Sequence, residues 1–185
     1  MSDSVAANGR HPFPERQPLA SAFGASLIWA ITATFALALV ALIVAAPLAQ
    51  ANQHQQFAAA IYKTFSFVCH QIPERSFHIA GYKFAVCSRC TGLYSGFAIA
   101  ALIYPLVRWL RQTRTPSIVW LFLAAAPLAV DFSLGYFSIW QNNHLSRFFT
   151  GALLGAAAVF YIMPGLVELS SNISGRFRLG RDLRN

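Results

Sequence analysis

Four long apolar stretches, separated by polar segments, dominate the pattern of residues along this chain. A helix that crosses the hydrocarbon core of a bilayer, about 30 Å thick, needs roughly 20 mainly apolar residues. Each stretch approaches or exceeds that length, and the pattern therefore predicts four membrane-spanning helices. Their approximate bounds are Phe23 to Leu48, Cys90 to Val107, Pro116 to Phe137 and Phe148 to Val167.

The remaining segments complete the predicted organisation around a four-span domain at 23–167. Residues 1–22 form an N-terminal segment, residues 51–89 a long first loop, and residues 168–185 a basic tail. In the loop we expect a short helix from Phe57 to Val68 against the membrane surface. It should end before Pro73, since a proline disfavours helical geometry in the residue before it. The expected fold is all-α, an integral membrane four-helix bundle with a short interfacial helix in its first outer loop.

The first apolar stretch also has a signal-peptide interpretation, because Ala49-Gln50-Ala51 resembles a small-residue cleavage site. However, the apolar part of a signal peptide usually has only about 7–15 residues. The stretch from Phe23 to Leu48 is well beyond that length. We therefore expect it to be a permanent helix.

The composition agrees with a membrane protein, and the distribution of Lys and Arg predicts its orientation. Only 11% of the residues are charged and 56% are apolar, whereas soluble domains have about 25% charged residues. This excludes an ordinary cytosolic enzyme. With the amino terminus in the cytoplasm, the cytoplasmic side carries nine Lys and Arg residues and the outer side five. Because Lys and Arg are enriched in cytoplasmic loops, both termini are predicted to be cytoplasmic.

The chain has a net charge of +8, and its tail at 168–185 carries four arginines. Such a tail is typical of a cytoplasmic anchor that is attracted to anionic lipid. No aromatic or structural module of a nucleic-acid-binding protein accompanies the charge, so we expect no nucleic-acid partner. The lipid bilayer is the expected partner, together with a larger membrane complex or a second copy of the chain.

A short pattern occurs in both the second and the fourth stretch. Thr91-Gly92-x3-Gly96 is followed by Pro105, and Thr150-Gly151-x3-Gly155 is followed by Pro164. Small residues at this spacing let helices approach closely in a membrane. The two helices are therefore expected to be contact surfaces, and they could be related by an axis along the membrane normal. Chance similarity is the alternative.

All three cysteines lie in the predicted outer loop, two of them as Cys87-x-x-Cys90. This spacing allows two thiolates to bind one tetrahedral metal ion. Cys69 could supply a third sulfur and His70 the fourth ligand, with His78 and His144 as other candidates. We expect a metal ion at this site, zinc as the first choice and copper as the second.

Other interpretations of the cysteines stay open at this stage. A redox-active dithiol is one of them, with Arg89 and His70 lowering the thiol pKa and Cys69 as the resolving thiol. A structural disulfide and inert thiols at the start of a helix are two more. The chain could also be an accessory subunit of a membrane complex, in which the loop is a docking surface.

Asp131 is the only acid well inside the predicted apolar pattern. Because an ionisable group is costly at that depth, it should face the bundle and have a partner, and Arg147 is the expected one. A structural ion pair that closes the outer ends of two helices is favoured over a proton site, an ion site or a headgroup anchor. Glu74 and Arg75 are expected to pair with each other or to organise the loop.

Two strings of residues together resemble the signature of a prokaryotic family of small integral membrane proteins, a domain of unknown function. They are Cys69-His70-Gln71-x-Pro73-Glu74-Arg75-Ser76-Phe77 and Cys87-x-Arg89-Cys90-Thr91-Gly92-x-Tyr94-x-Gly96. A weaker similarity continues to Gly151 through Asp131, the Asn residues at 142–143, Arg147 and Thr150. The resemblance implies a multi-span protein of a prokaryotic inner membrane with a Cys/His-centred site. It brings no established activity.

Overall fold

The computed structural model describes residues 22–110, 114–137 and 139–182, with side chains for residues 23–173 within these ranges. Four of its helices are long and apolar enough to cross a membrane. They are α1 (Ala22–Ala51), α3 (Ser88–Val107), α4 (Ile118–Tyr136) and α5 (His144–Asp182). The predicted all-α membrane bundle is therefore confirmed. The predicted N-terminal segment lies outside the described residues, except for Ala22.

The long first loop contains more regular structure than the sequence pattern predicts. Its helix α2 covers Gln55–Ser66, close to the expected range, and a 3₁₀ turn follows at Pro73–Arg75. A small antiparallel hairpin then pairs β1 (His78–Ile79) with β2 (Tyr82–Lys83). Ala80 and Gly81 both have positive φ angles, 51° and 81°. This is the backbone that a two-residue hairpin turn requires, but the usual residues are Asn-Gly or Asp-Gly, so the turn is hard to recognise in the sequence.

The last helix is longer than the apolar pattern predicts at both ends. It begins at His144, before the expected start at Phe148, and continues to Asp182 through most of the predicted tail. Its apolar part ends near Ile173. Hydropathy therefore indicates the membrane-crossing part of the helix, and not where the backbone stops being helical.

The parallel helices α3 and α5 form the closest contact in the bundle. A Cβ atom on Gly92 would collide with the backbone carbonyl of Phe148, and one on Gly151 with that of Arg89. The two contacts are equivalent, since Gly151 follows Gly92 by 59 residues and Phe148 follows Arg89 by 59. The same reciprocal relation holds one turn further along, for Gly96 against Ala152 and Gly155 against Leu93. The expected contact surfaces are thus confirmed, and the contact has the pattern that a two-fold repeat predicts.

A proline in α3 helps to attach α1 to this pair of helices. Pro105 has no backbone N–H, so the carbonyl of Ala101, one turn earlier, has no intrahelical donor. Trp29 of α1 donates its indole N–H to that carbonyl at 2.7 Å. The proline therefore creates the acceptor through which the two helices are joined.

Candidate functional site

The loop that carries the cysteines is held against α1 by a second proline effect. Pro47 leaves the carbonyl of Ile43 without an intrahelical donor. The backbone N–H of Ala85, two residues before Cys87, donates to this carbonyl at 3.3 Å. Ala85 and Ile43 also belong to one buried apolar cluster, which α1, α2 and the loop build together. The start of α3 is consequently fixed near the C-terminal end of α1.

A network of polar contacts fixes the segment between Cys69 and the hairpin. Gln71 adopts a positive φ of 51° and donates its side-chain amide to the carbonyl of Tyr62 at 2.6 Å. Lys83 donates its ammonium to the carbonyl of Gln71 at 2.6 Å, and the Tyr62 hydroxyl donates to the carbonyl of Lys83 at 2.5 Å. These three bonds join α2, the turn after Cys69 and the hairpin.

The three cysteine sulfurs lie within 4.8 Å of one another. Cys87 is the N-cap of α3 and Cys90 lies in its first turn, so the i, i+3 spacing brings both to one side of the helix. Cys69 is buried at the end of the segment that follows α2, and the backbone N–H of Cys87 donates to its sulfur at 3.2 Å. All three thiols are free. The predicted grouping of the sulfurs at one place is present.

The environment of Cys87 favours a thiolate. Hydrogen bonds from the side chains of Cys69 and Cys90 are the main reason that the pKa of the Cys87 thiol lies well below its usual range. Backbone hydrogen bonds from Cys90 and Arg89 lower it further, because the first N–H groups of a helix point toward its N-cap residue. A thiolate is the form that binds metals and attacks disulfides.

The histidines do not join the sulfurs in one set. His70 is exposed and lies outside the group of three sulfurs, although it lines the same pocket. His78 is exposed on β1. His144 is half-buried, with its Nδ1 atom 2.8 Å from the hydroxyl of Ser88. That contact joins the first residues of α3 and α5, which gives His144 a structural role.

Asp131 lies at the same end of the bundle as the cysteines, but its partner differs from the expected one. Its carboxylate accepts a hydrogen bond from Arg89 at 2.5 Å and forms an ion pair with it, whereas Arg147 had been the expected partner. Phe132 makes a cation–π contact with the same arginine, since its ring centroid lies 5.5 Å from the guanidinium carbon of Arg89. Asn142 donates its side-chain amide to the backbone carbonyl of Asp131.

Arg75 organises the loop through its backbone and not through Glu74. Within the described residues, Asp131 and Arg89 form the ion pair, and Glu74 forms none. Glu74 and Arg75 both lie exposed in the 3₁₀ turn. The carbonyl of Arg75 accepts a hydrogen bond from Ser88 at 3.0 Å, which ties this turn to the start of α3.

A pocket of about 350 Å³ opens beside the sulfurs. Its walls combine the three cysteines with three arginines and with apolar side chains from the loop and α4. The sequence pattern did not indicate Phe132 or Ser88 as site residues. Arg89 had a signal, since it lies between Cys87 and Cys90, but only its side-chain contact with Asp131 in α4 shows its partner.

Comparison with known proteins supports the membrane assignment. The family model described as "Predicted membrane protein (DUF2085)" matches residues 69–161, a range that begins at Cys69 and includes the pocket residues of α3, α4 and α5. The uncharacterized protein MJ1492 of Methanocaldococcus jannaschii is 38% identical over 109 residues, which is 59% of this chain and 70% of the relative. An uncharacterized protein of Methanothermobacter thermautotrophicus is 32% identical over 105 residues, 56% of this chain and 93% of the relative. No solved structure matches the chain. With half of its residues matched, the chain belongs to the DUF2085 family of predicted membrane proteins.

Proposed function

We propose that this membrane protein binds one transition metal ion through Cys69, Cys87 and Cys90, with zinc as the first candidate and copper as the second. The observation that carries the proposal is the approach of the three sulfurs to within 4.8 Å. In a tetrahedral zinc site with Zn–S bonds near 2.3 Å, the sulfurs are about 3.8 Å apart. Small side-chain rotations therefore suffice to close the set around an ion.

The pocket beside the sulfurs offers room for a fourth ligand. His70 lines that pocket next to Cys69 and is the protein group that could fill the position. An exchangeable ligand there would leave an open site, which permits chemistry or metal transfer, whereas His70 would close it. Copper in its reduced form is the second candidate, because soft thiolates suit it.

The backbone and charged groups near the sulfurs suit a thiolate-rich site. The N–H of Cys87 already donates to the sulfur of Cys69, and such bonds stabilise negative charge on sulfur. Three arginines line the same pocket and oppose the net negative charge of a divalent ion with three thiolates. The surroundings thus lower the cost of burying the charged ligands.

We place the site on the outer face of a prokaryotic inner membrane, with both termini in the cytoplasm. The excess of nine Lys and Arg residues over five supports this orientation. The three cysteines and Asp131 then share the outer end of the bundle.

Elemental analysis of the purified full-length protein tests the metal site. We expect about one equivalent of zinc or copper in the wild type and a loss of most of it in Cys87→Ser, since removing one thiolate destroys the ligand set. His78→Ala is the matched control, because this exposed histidine lies on the hairpin away from the sulfurs. His70→Ala then reports whether the fourth position is open. Less than about 0.2 equivalents in the wild type, even after incubation with zinc and copper, would reject the proposal.

Thiol–disulfide exchange at Cys87 and Cys90 is the second candidate, and the lowered pKa of the Cys87 thiol favours it. In such a reaction the two thiols would become a disulfide, and two electrons and two protons would pass to a membrane quinone. Thiol counting by alkylation and mass spectrometry on the same samples separates the candidates. Three free thiols with bound metal support the metal site, whereas one disulfide without metal supports exchange.

A further inference from the structure

The pocket beside the sulfurs has an excess of positive charge. Among the described residues that line it, three are arginines and none is acidic. Arg89 is paired with Asp131. Neither Arg75 nor Arg147 forms an ion pair within the described residues. The charges of Arg75 and Arg89 repel the guanidinium of Arg147, and Asp131 and Cys87 attract it more weakly. Like charges held together in this way are costly unless an anion offsets them.

The helix ends increase this excess. Arg89 lies in the first turn of α3 and Arg147 in the first turn of α5. The N-terminal end of a helix carries a partial positive charge, so cationic side chains are unfavourable there and anions are favourable. In addition, the Nε atom of Arg89 is buried and has no hydrogen-bond partner in the described part of the chain. A buried donor without an acceptor is costly, so an anion that accepts a hydrogen bond here would be favourable for a second reason.

The proposed metal site does not remove the excess by itself. A divalent ion with three thiolates has one net negative charge, and Asp131 adds one more. Three arginine side chains oppose these two charges, so the pocket stays positive with zinc bound. The requirement for an anion therefore goes beyond the metal proposal.

We propose that this pocket binds a phosphate group. Arginine forks donate two parallel hydrogen bonds to phosphate oxygens, and Arg75 and Arg147 have their guanidinium groups available for this from the loop and from α5. Several donors on different elements suit an anion with three or four oxygens better than a carboxylate with two. Val68, Ile72 and Phe132 give the pocket an apolar wall, which suits a phosphate attached to a less polar group. The phosphate group belongs to a phospholipid headgroup or to a soluble phosphate.

Two binding measurements on the full-length protein test this inference and separate the two sources. Inorganic phosphate is titrated against the protein in neutral detergent by isothermal calorimetry at constant ionic strength. In parallel, native mass spectrometry counts the phosphatidylglycerol and phosphatidylcholine molecules retained from mixed micelles. A soluble ligand predicts binding of inorganic phosphate, and a lipid predicts selective retention of phosphatidylglycerol. Each measurement is made on chelator-treated and on zinc-loaded protein, so that loss of the metal site is not confused with loss of the anion site.

The variants Arg75→Gln and Arg147→Gln should each weaken the binding by about tenfold, because each removes a charge-assisted pair of hydrogen bonds. Arg75→Lys keeps the charge without the fork and should fall between the wild type and Arg75→Gln. The matched control is Arg114→Gln, an exposed arginine outside the pocket, which should bind like the wild type. Circular dichroism verifies that each variant is folded. The inference is overturned if folded Arg75→Gln and Arg147→Gln bind as the wild type does, or if the wild type binds neither probe.

Discussion

At the scale of single residues, the contact between Arg89 and Asp131 determines how the C-terminal end of α4 is held. Asp131 is one of two buried residues on α4, the other being Ala124. Most of this helix is exposed, so its one buried carboxylate has few apolar contacts to support it. Two polar contacts hold this part of α4: the Asp131 carboxylate pairs with Arg89, and the Asp131 backbone carbonyl accepts a hydrogen bond from Asn142. A buried charge in such a place is stable only while its partner remains.

We therefore expect Asp131→Asn to lower the free energy of unfolding by about 1–3 kcal/mol, because it leaves the guanidinium of Arg89 without its carboxylate. Thermal unfolding in detergent, converted to free energies where it is reversible, measures the loss. The double variant of Arg89→Gln with Asp131→Asn should lose less than the sum of the single variants, as coupled partners do. Glu168→Gln, at an exposed acid of α5, is the control. Equal losses in Glu168→Gln and Asp131→Asn would contradict the specific role of the pair.

How far the sequence predicted the site differs from residue to residue. The grouping of the cysteines was predictable, because a C-x-x-C spacing is typical of metal sites and of redox-active dithiols. Cys69 lies in the same loop, so it was a candidate for a third sulfur at the same site. The partner of Asp131 was not predictable, since Arg89 and Arg147 both lie in the first turns of helices. Choosing between the two arginines requires the distance from each guanidinium to the Asp131 carboxylate, and hydropathy gives no information about such distances. Sequence proximity groups His70 with the sulfurs, but in the structure it lines the same pocket without belonging to the close group of three.

At the scale of helices, the contact of α3 with α5 depends on the absence of side chains at four glycines. The chain offers a matched comparison, because Gly165 is in the same helix as Gly151 and has no atom within 4 Å of an added Cβ. The carbonyl groups that face Gly92 and Gly151 belong to the backbone and cannot rotate away. Substitution at these two positions must consequently separate the helices.

Gly92→Ala and Gly151→Ala should each cost about 1–3 kcal/mol of stability, since the added methyl group overpacks a rigid contact. The two losses should be similar, because the two contacts are equivalent. Gly165→Ala should stay within about 1 kcal/mol of the wild type, as alanine is the better helix former. Thermal unfolding of the three variants in one detergent provides the comparison. A loss in Gly165→Ala as large as in the other two would show that the close contact is not the cause.

At the scale of the whole molecule, the length of the apolar stretches was sufficient to predict four spanning helices, and their order then places the first loop and the end of α4 together. The hairpin and the attachment of the loop to α1 were not predictable in this way. They depend on a turn without its usual residues and on a carbonyl that Pro47 leaves free. Both are backbone features, and side-chain hydropathy does not record them.

The orientation of the whole bundle can be tested with reporter fusions. Green fluorescent protein fluoresces when it folds in the cytoplasm, and alkaline phosphatase is active when it is exported, so the pair reports both sides. Because nine of the 14 Lys and Arg residues lie on the side of the termini, we expect fluorescence from fusions after Asn185 and after Arg114. Alkaline phosphatase inserted after Gly81, in the hairpin turn, should be active.

The opposite result would place the three sulfurs in the reducing cytoplasm, where free thiolates persist without a metal and a disulfide-exchange role is disfavoured. The metal and phosphate proposals would then need ligands that are present in the cytoplasm.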